Sequence, residues 1–185
     1  MRKVTFGVAC SLDHFIARKD HSVDWLVWSE EVGALTAAFW KTVSTVLMGR
    51  KTYEVAVRSG TSSYAGVGNY VFSRTLKEAP DENVEIVSGD AVAFVKRLKQ
   101  QDGQGICVMG GGELARPLFE ADLIDEVGLN IHPVLLGSGI PLFHELTRPI
   151  ELELIESRVL SAGCVYVLYR VRREGTRTPG ILEKE

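Results

Sequence analysis

Cysteine is scarce in this 185-residue chain, and no stretch of it is long and apolar. The three cysteines, Cys10, Cys107 and Cys164, stand far apart. An odd number at such spacing argues against a disulfide framework and against a zinc site. Buried, reduced thiols are therefore expected, and no metal. His21 and His144 lack ligand spacing as well. No run approaches the ~18 apolar residues of a membrane span. The N-terminal MRKVTFGVACSLD has a basic start, but its apolar stretch is too short and interrupted for a signal peptide. A cytoplasmic location is expected. Positive charge is not in excess: 21 Lys and Arg face 24 Asp and Glu, for a net charge of −3. No global basic field then recruits nucleic acid or an anionic membrane. Any anion site must be local.

Hydrophobic residues make up 45% and charged residues 24%, the ordinary composition of a soluble globular protein. The length suits one compact domain, expected over 1–173. The charged segment 174–185 holds a Pro-Gly pair without periodicity and is expected to be a flexible tail. Apolar runs predict strands at 4–9, 45–48, 70–73, 84–87, 106–109 and 126–133. Helices are expected at 30–43, 50–57, 113–120 and from an Asp90 cap to residue 100. Segments 11–24, 59–68 and 135–143 read as loops, and 151–161 with 163–172 as a hairpin turning at Ala162-Gly163. Strands alternating with helices predict a three-layer αβα domain, with a mixed, mainly parallel sheet closed by a C-terminal antiparallel hairpin.

Three junctions share one grammar, a buried strand running straight into phosphate-friendly residues. Gly49-Arg50-Lys51-Thr52 follows VLM, Ser73-Arg74-Thr75 follows VF, and Gly110-Gly111-Gly112 follows ICVM. A helix N-terminus attracts anions through unpaired N–H groups and the helix dipole. Gly49 allows close backbone approach or a positive φ. Three glycines let backbone N–H groups approach a diphosphate, and the Arg74 fork suits a phosphate monoester. In α/β sheets ligands bind beyond the carboxyl ends of the strands, so the three junctions can line one crevice. Neither a G-x-G-x-x-G fingerprint in the first βα unit nor a G-x-x-x-x-G-K-[ST] loop is present.

The motifs SLDHFIA (11–17), DWL (24–26), VLMGRKTYE (46–54), VFSRTL (71–76), VMGGGELARPLF (108–119) and LIDEVGLNIHPVLLGSGIPLF (123–143) occur in one order. In this combination the chain resembles the dihydrofolate-reductase-like superfamily. Within it, the chain is most similar to the C-terminal reductase domain of the bacterial bifunctional riboflavin-biosynthesis deaminase-reductase. The resemblance implies NADPH as cofactor and hydride transfer to a small heterocycle. The acceptor would be like that of a 5-amino-6-(5-phosphoribosylamino)uracil reductase or a dihydrofolate reductase. By matching position, Gly49, Arg50, Lys51 and Thr52 would hold cofactor phosphate. Ser73 and Arg74 would face the 2′-phosphate, favouring NADPH over NADH. Gly110, Gly111, Gly112, Glu113 and Leu114 would cradle the diphosphate and the nicotinamide side. Ala9 and Ile16 would flank the nicotinamide ring, with Ser11 and Asp13 on the loop over the site. Relatives also imply a homodimer through the C-terminal strands and the 133–143 region.

Two departures stand out. His14 replaces a glycine common in family loops, which puts the turn geometry there in question. The deaminase signature, H-x-E with P-C-x-x-C, is absent, so the chain reads as a stand-alone reductase-like domain. Folate-reducing relatives carry an acid near the start of the first helix. Glu30 is the candidate here, beside Glu31, with Asp24 as the alternative. Such an acid would relay the proton that accompanies the hydride; both glutamates also simply suit a helix N-terminal turn. Trp25, Trp28, Phe39, Trp40 and Tyr53 are candidates for a stacking wall or for core. The leading expectation is an NADPH-dependent reductase. Its alternative is a non-catalytic nucleotide-binding module, and a thiol enzyme using Cys10 or Cys107 is a third.

Overall fold

The computed structural model describes residues 1–173; the expected tail at 174–185 lies outside the described residues. In chain order the elements are β1 (Val4–Ser11), β2 (Phe15–Ala17), α1 (Glu30–Trp40), β3 (Val43–Gly49), α2 (Arg50–Arg58), β4 (Gly68–Phe72) and β5 (Val84–Val87). Then follow α3 (Ala91–Gln100), β6 (Gly105–Met109), α4 (Gly112–Glu120), β7 (Glu126–His132), β8 (Ile140–Pro141), β9 (Leu152–Val159) and β10 (Val165–Val171).

Strand periodicity sets the layers. Successive strand residues point to opposite faces, and buried side chains divide accordingly. Val4 and Phe6 of β1, with Ile106 and Val108 of β6, pack with Val95 and Leu98 of α3 and Leu118 and Phe119 of α4. The intervening Cys107, with Val46 and Met48 of β3, packs with Phe39 and Trp40 of α1 and Tyr53 of α2. Gly7 belongs to this second face, and a Cβ there would sit 3.6 Å from the Phe39 ring. The eight-stranded sheet runs β5-β4-β3-β6-β1-β7-β10-β9. Its first six strands pair in parallel, and β10 pairs antiparallel with both β7 and β9. This is the three-layer dihydrofolate-reductase-like fold. β9 is an edge strand, with Leu154 54% and Val159 85% exposed.

Caps explain several boundaries. Ser29 Oγ accepts from the Val32 N–H at 3.3 Å and starts α1, and Asp90 accepts from the Val92 N–H at 2.7 Å and starts α3. α1 ends at Trp40, short of the expected residue 43. The β-branched residues Thr42, Val43 and Thr45 favour extended backbone, and β3 opens at Val43 instead. The stretches expected as loops at 11–24 and 135–143 each contain a short strand. β2 and β8 pair antiparallel with each other, too short to leave a periodic signal. Gly139 makes that pairing possible, since a Cβ on it would lie 2.3 Å from the Ala17 carbonyl oxygen.

At the far end of the sheet, a cavity of about 990 Å³ is lined by Arg2, Lys3, Lys99, Asp125 and Glu126 among others. Lys3 pairs with Glu126 at 2.7 Å, and Arg2 donates to the Gln104 carbonyl and to Ser44 and Thr45. Asp125 accepts from the Val4 N–H at 2.8 Å and from Arg173 at 2.6 Å, and it pairs with the buried Lys99 ammonium. Removing one partner of a buried pair is costly where the other is left without a counter-charge. Without Asp125 the buried Lys99 ammonium keeps only the Leu123 carbonyl, whereas without Lys99 the Asp125 carboxylate keeps Arg173 and the Val4 N–H. Asp125→Ala is therefore expected to lower unfolding free energy by roughly 3 kcal/mol, and Lys99→Met by about 1 kcal/mol or less. Urea denaturation of both variants checks the ordering.

Candidate functional site

The carboxyl ends of β5, β4, β3, β6 and β1 open onto one crevice of about 1050 Å³. Register brings the ends level. Leu47 pairs with Val108, so two residues on, Gly49 and Gly110 emerge side by side. Gly49 pairs with Phe72, which sets Ser73 beside Arg50, and Gly7 pairs with Met109, which sets Val8 beside Gly110. Ala9, Ile16, Gly49, Arg50, Lys51, Thr52, Ser73, Arg74, Gly110, Gly111, Gly112, Glu113 and Leu114 all line this crevice.

The three junctions use different devices. Gly49 caps α2 with φ −76° and no side-chain hydrogen bond. Its φ is negative, and a Cβ there would meet nothing within 4 Å. Of the two roles expected for it, positive φ is excluded and unobstructed approach stays. The first-turn N–H groups of α2 have no side-chain cap. Arg50 spends part of its charge on Glu54 at 2.6 Å. Lys51 is exposed with no ion-pair partner among the described residues. In the glycine triplet, Gly110 (φ +57°) and Gly111 (φ +66°) need left-handed backbone. Gly112 needs space instead: a Cβ would lie 2.5 Å from the Leu142 carbonyl oxygen and 2.7 Å from His144. At the β4 end, Ser73 Oγ accepts from the Thr75 and Leu76 N–H groups at 3.2 and 2.8 Å and holds the turn. Arg74 beside it is exposed with no ion-pair partner among the described residues.

One loop roofs the crevice beside β1. Ser11 Oγ donates to Asp13 at 2.6 Å and accepts from the Phe15 N–H at 2.9 Å. Asp13 in turn accepts from the Leu136 and Gly137 N–H groups at 3.1 and 2.7 Å, tying the 11–17 turn to the 133–142 loop. The Ser11 hydroxyl, ahead of these backbone donors, holds the Asp13 carboxyl below its ordinary pKa. His14 adopts φ +59°, the left-handed conformation a glycine takes freely, so the turn survives the substitution. Its side chain is exposed and does not line the crevice.

The following segment carries His21, Val23 and Leu26 onto the crevice wall. An Arg18–Asp24 ion pair at 2.7 Å braces it, and the Val27 N–H donates to His132 Nδ1 at 3.0 Å. His132 is 2% exposed at the end of β7 and meets the Trp25 ring edge-on at 5.4 Å. Its Nε2 faces the Asn130 amide at 3.2 Å.

The expected proton relay is not assembled. Asp24 is engaged by Arg18, and neither it nor Glu30 lines the crevice. Glu30 is exposed on the first turn of α1, which faces the β9–β10 turn: its neighbour Glu31 accepts from the Ser161 N–H. The aromatic wall is likewise dispersed. Trp25 and Tyr53 are buried and Trp28 is 71% exposed. Trp40 stacks on Tyr64, with ring centroids 4.2 Å apart. Tyr64 is the aromatic residue this pair presents to the crevice. Sequence reasoning missed it, along with Phe72, His21, His144 and the turn at 88–90. Tyr64 lies in an aperiodic loop held by Asn69, whose buried amide exchanges hydrogen bonds with the Tyr64 backbone at 2.9 and 3.1 Å. Neither Cys10 nor Cys107 reaches the crevice, and burial pushes each thiol up to about 12, which removes the thiolate that thiol chemistry requires.

Fold and crevice together define an α/β protein of the dihydrofolate-reductase-like class with an anion-ready cleft. The family described as the RibD C-terminal domain matches residues 2–166, and the chain belongs to that family. It is 43% identical over 155 residues to the uncharacterized Bacillus subtilis (strain 168) protein YwjB, covering 83% of this chain and 89% of YwjB. A second uncharacterized protein of that strain, YyaP, is 29% identical over 180 residues, covering 91% of this chain and 94% of YyaP. Among solved structures, a Shewanella sp. PV-4 protein named for riboflavin biosynthesis superposes with a TM-score of 0.80 at 28% identity, covering 94% of this chain and all of that one. The Thermotoga maritima diaminohydroxyphosphoribosylaminopyrimidine deaminase/5-amino-6-(5-phosphoribosylamino)uracil reductase superposes at 0.68 with 16% identity, over 92% of this chain and 57% of that one. Among the described residues, no helix is long and apolar enough to cross a membrane.

The His132 clasp has a pH signature. Burial lowers its pKa from the ordinary 6.5, so folding favours the neutral ring, whose Nδ1 accepts from Val27. A group with a depressed folded pKa contributes stability fully above its unfolded value and loses it as pH falls through the folded one. Stability, and amide-exchange protection at Val27, are expected to fall as pH drops below 6.5. In His132→Asn the part of that slope owed to the ring should disappear, as urea titrations between neutral and mildly acid pH can show.

Proposed function

We propose that this protein is an NADPH-dependent reductase acting on a small heterocyclic acceptor. One observation carries the reading. Three strand ends bearing backbone donors and cations open, level with one another, onto a single crevice. The residues suit a cofactor rich in phosphate. α2 and α4 both begin without a side-chain cap, and Gly49 leaves its approach open. Two further cations, Lys51 and Arg74, have no ion-pair partners among the described residues. Membership in the RibD C-terminal family supports reductase chemistry, because the Thermotoga neighbour bears a reductase name.

Bound NADPH supplies the hydride. The chain's own residues bind and orient. The N–H groups opening α2 and α4 receive the diphosphate beside Lys51, and Thr52, packed against Gly110, braces that junction. Arg74 meets the 2′-phosphate through its planar fork. Ala9 and Ile16 wall the nicotinamide, and the Asp13 tether holds the strand that carries Ile16. Asp24 and Glu30 lie outside the crevice, so neither supplies the accompanying proton.

A charge-assisted hydrogen bond contributes about 1.5–3 kcal/mol, or roughly ten- to a hundredfold in affinity. Arg74→Ala should weaken NADPH binding by at least about tenfold and leave NADH binding nearly unchanged. Calorimetric titration with each nucleotide decides it, and an unaltered NADPH:NADH ratio would count against the 2′-phosphate assignment. Binding of NADPH without oxidation against any acceptor would favour the non-catalytic module instead.

A further inference from the structure

The crevice is electrostatically graded along the sheet. Over β4 lies Arg74, and over β3 lie Arg50 and Lys51. Over β6 the charged lining is Glu113, and over β1 the lining is Val8 and Ala9. Beyond β1, where Val27 is anchored to the end of β7, the wall is Ile16, Val23, Leu26 and His21. Among the described residues, no lysine or arginine lines this last stretch. The cation nearest in sequence, Arg18, is held by Asp24 at 2.7 Å and stays outside the wall.

We propose that the acceptor bound at the β1 end is a neutral, flat heterocycle without a phosphate group. This rests on the reductase reading above, which places cofactor phosphates over β4, β3 and β6 and so leaves the apolar stretch for the acceptor. A phosphate set against Val23 and Leu26 would give up part of its hydration to apolar surface and gain no lysine or arginine in return, which disfavours it. An uncharged ring loses nothing comparable and gains apolar contact, with His21 on the same wall able to hydrogen-bond its edge. The acceptor thereby differs in class from the phosphoribosylamino-substituted uracil named for the Thermotoga enzyme. The redox step balances: the acceptor's C=N or C=O takes a hydride from the reduced nicotinamide and a proton drawn ultimately from solvent, and the nicotinamide is left oxidised.

The probes are lumichrome, riboflavin and FMN, which share one ring system; FMN differs from riboflavin by a single phosphate. With the cofactor end saturated by NADP⁺, quenching of ring fluorescence reads equilibrium binding without turnover. Lumichrome and riboflavin are expected to bind at least tenfold tighter than FMN. Val23→Arg, which supplies the missing cation, should raise FMN affinity relative to riboflavin by about tenfold. Equal or tighter binding of FMN by the unaltered protein, or no binding of any of the three while NADP⁺ is bound, overturns the proposal. Calorimetry with NADP⁺ alone is read first; failure to bind there sinks the reductase reading itself, a separate result.

Discussion

The register of four parallel strands is the constraint on which everything else depends. β1, β6, β3 and β4 are hydrogen-bonded so that Val8, Gly110, Gly49 and Phe72 come level. A shift by one residue would turn Val46 and Leu47, or Cys107 and Val108, onto the wrong faces and exchange the two cores. The hydrophobic pattern therefore fixes where the strands end. Because they end together, the uncapped N-termini of α2 and α4 emerge as neighbours. The strand-end floor of the cleft thus follows from core packing.

The glycines show how one residue type serves three purposes within that frame. Gly110 and Gly111 bend the chain through left-handed backbone, Gly112 admits the Leu142 carbonyl and His144, and Gly49 leaves open space. Cost and consequence differ accordingly. A side chain at Gly112 collides with protein, whereas one at Gly49 collides only with whatever the crevice receives. Polar tethers do the corresponding work for the irregular segments. Asp13, His132 and Asn69 each spend side-chain hydrogen bonds on loop backbone, and each loop so held presents a residue to the crevice: Ile16, His21 or Tyr64.

Much of this was legible in the amino-acid sequence. The buried strands announce themselves as apolar runs, the Asp90 cap marks α3, and glycine and arginine at strand ends identify the cleft residues. Every cofactor-side residue named from sequence lines the crevice. Two kinds of feature escaped. The short strands β2 and β8 exist only because their partners find each other across more than a hundred residues, and no local pattern records that. The proton-relay candidates failed for a related reason. Likeness to folate-reducing relatives pointed to Glu30, with Asp24 as the alternative, but α1 is turned so that Glu31 meets Ser161, and Asp24 is held by Arg18, contacts that spacing cannot reveal.

If the level strand ends hold a reduced nicotinamide cofactor productively, hydride leaves one face of the ring only. Stereospecifically deuterated NADPH, mixed with the protein and a neutral flavin or pterin acceptor under anaerobic conditions, tests it directly. Transfer of deuterium from one face only, with a primary isotope effect on cofactor oxidation, is the predicted result. Loss of label from both faces, or oxidation at the rate of a protein-free control, would contradict it.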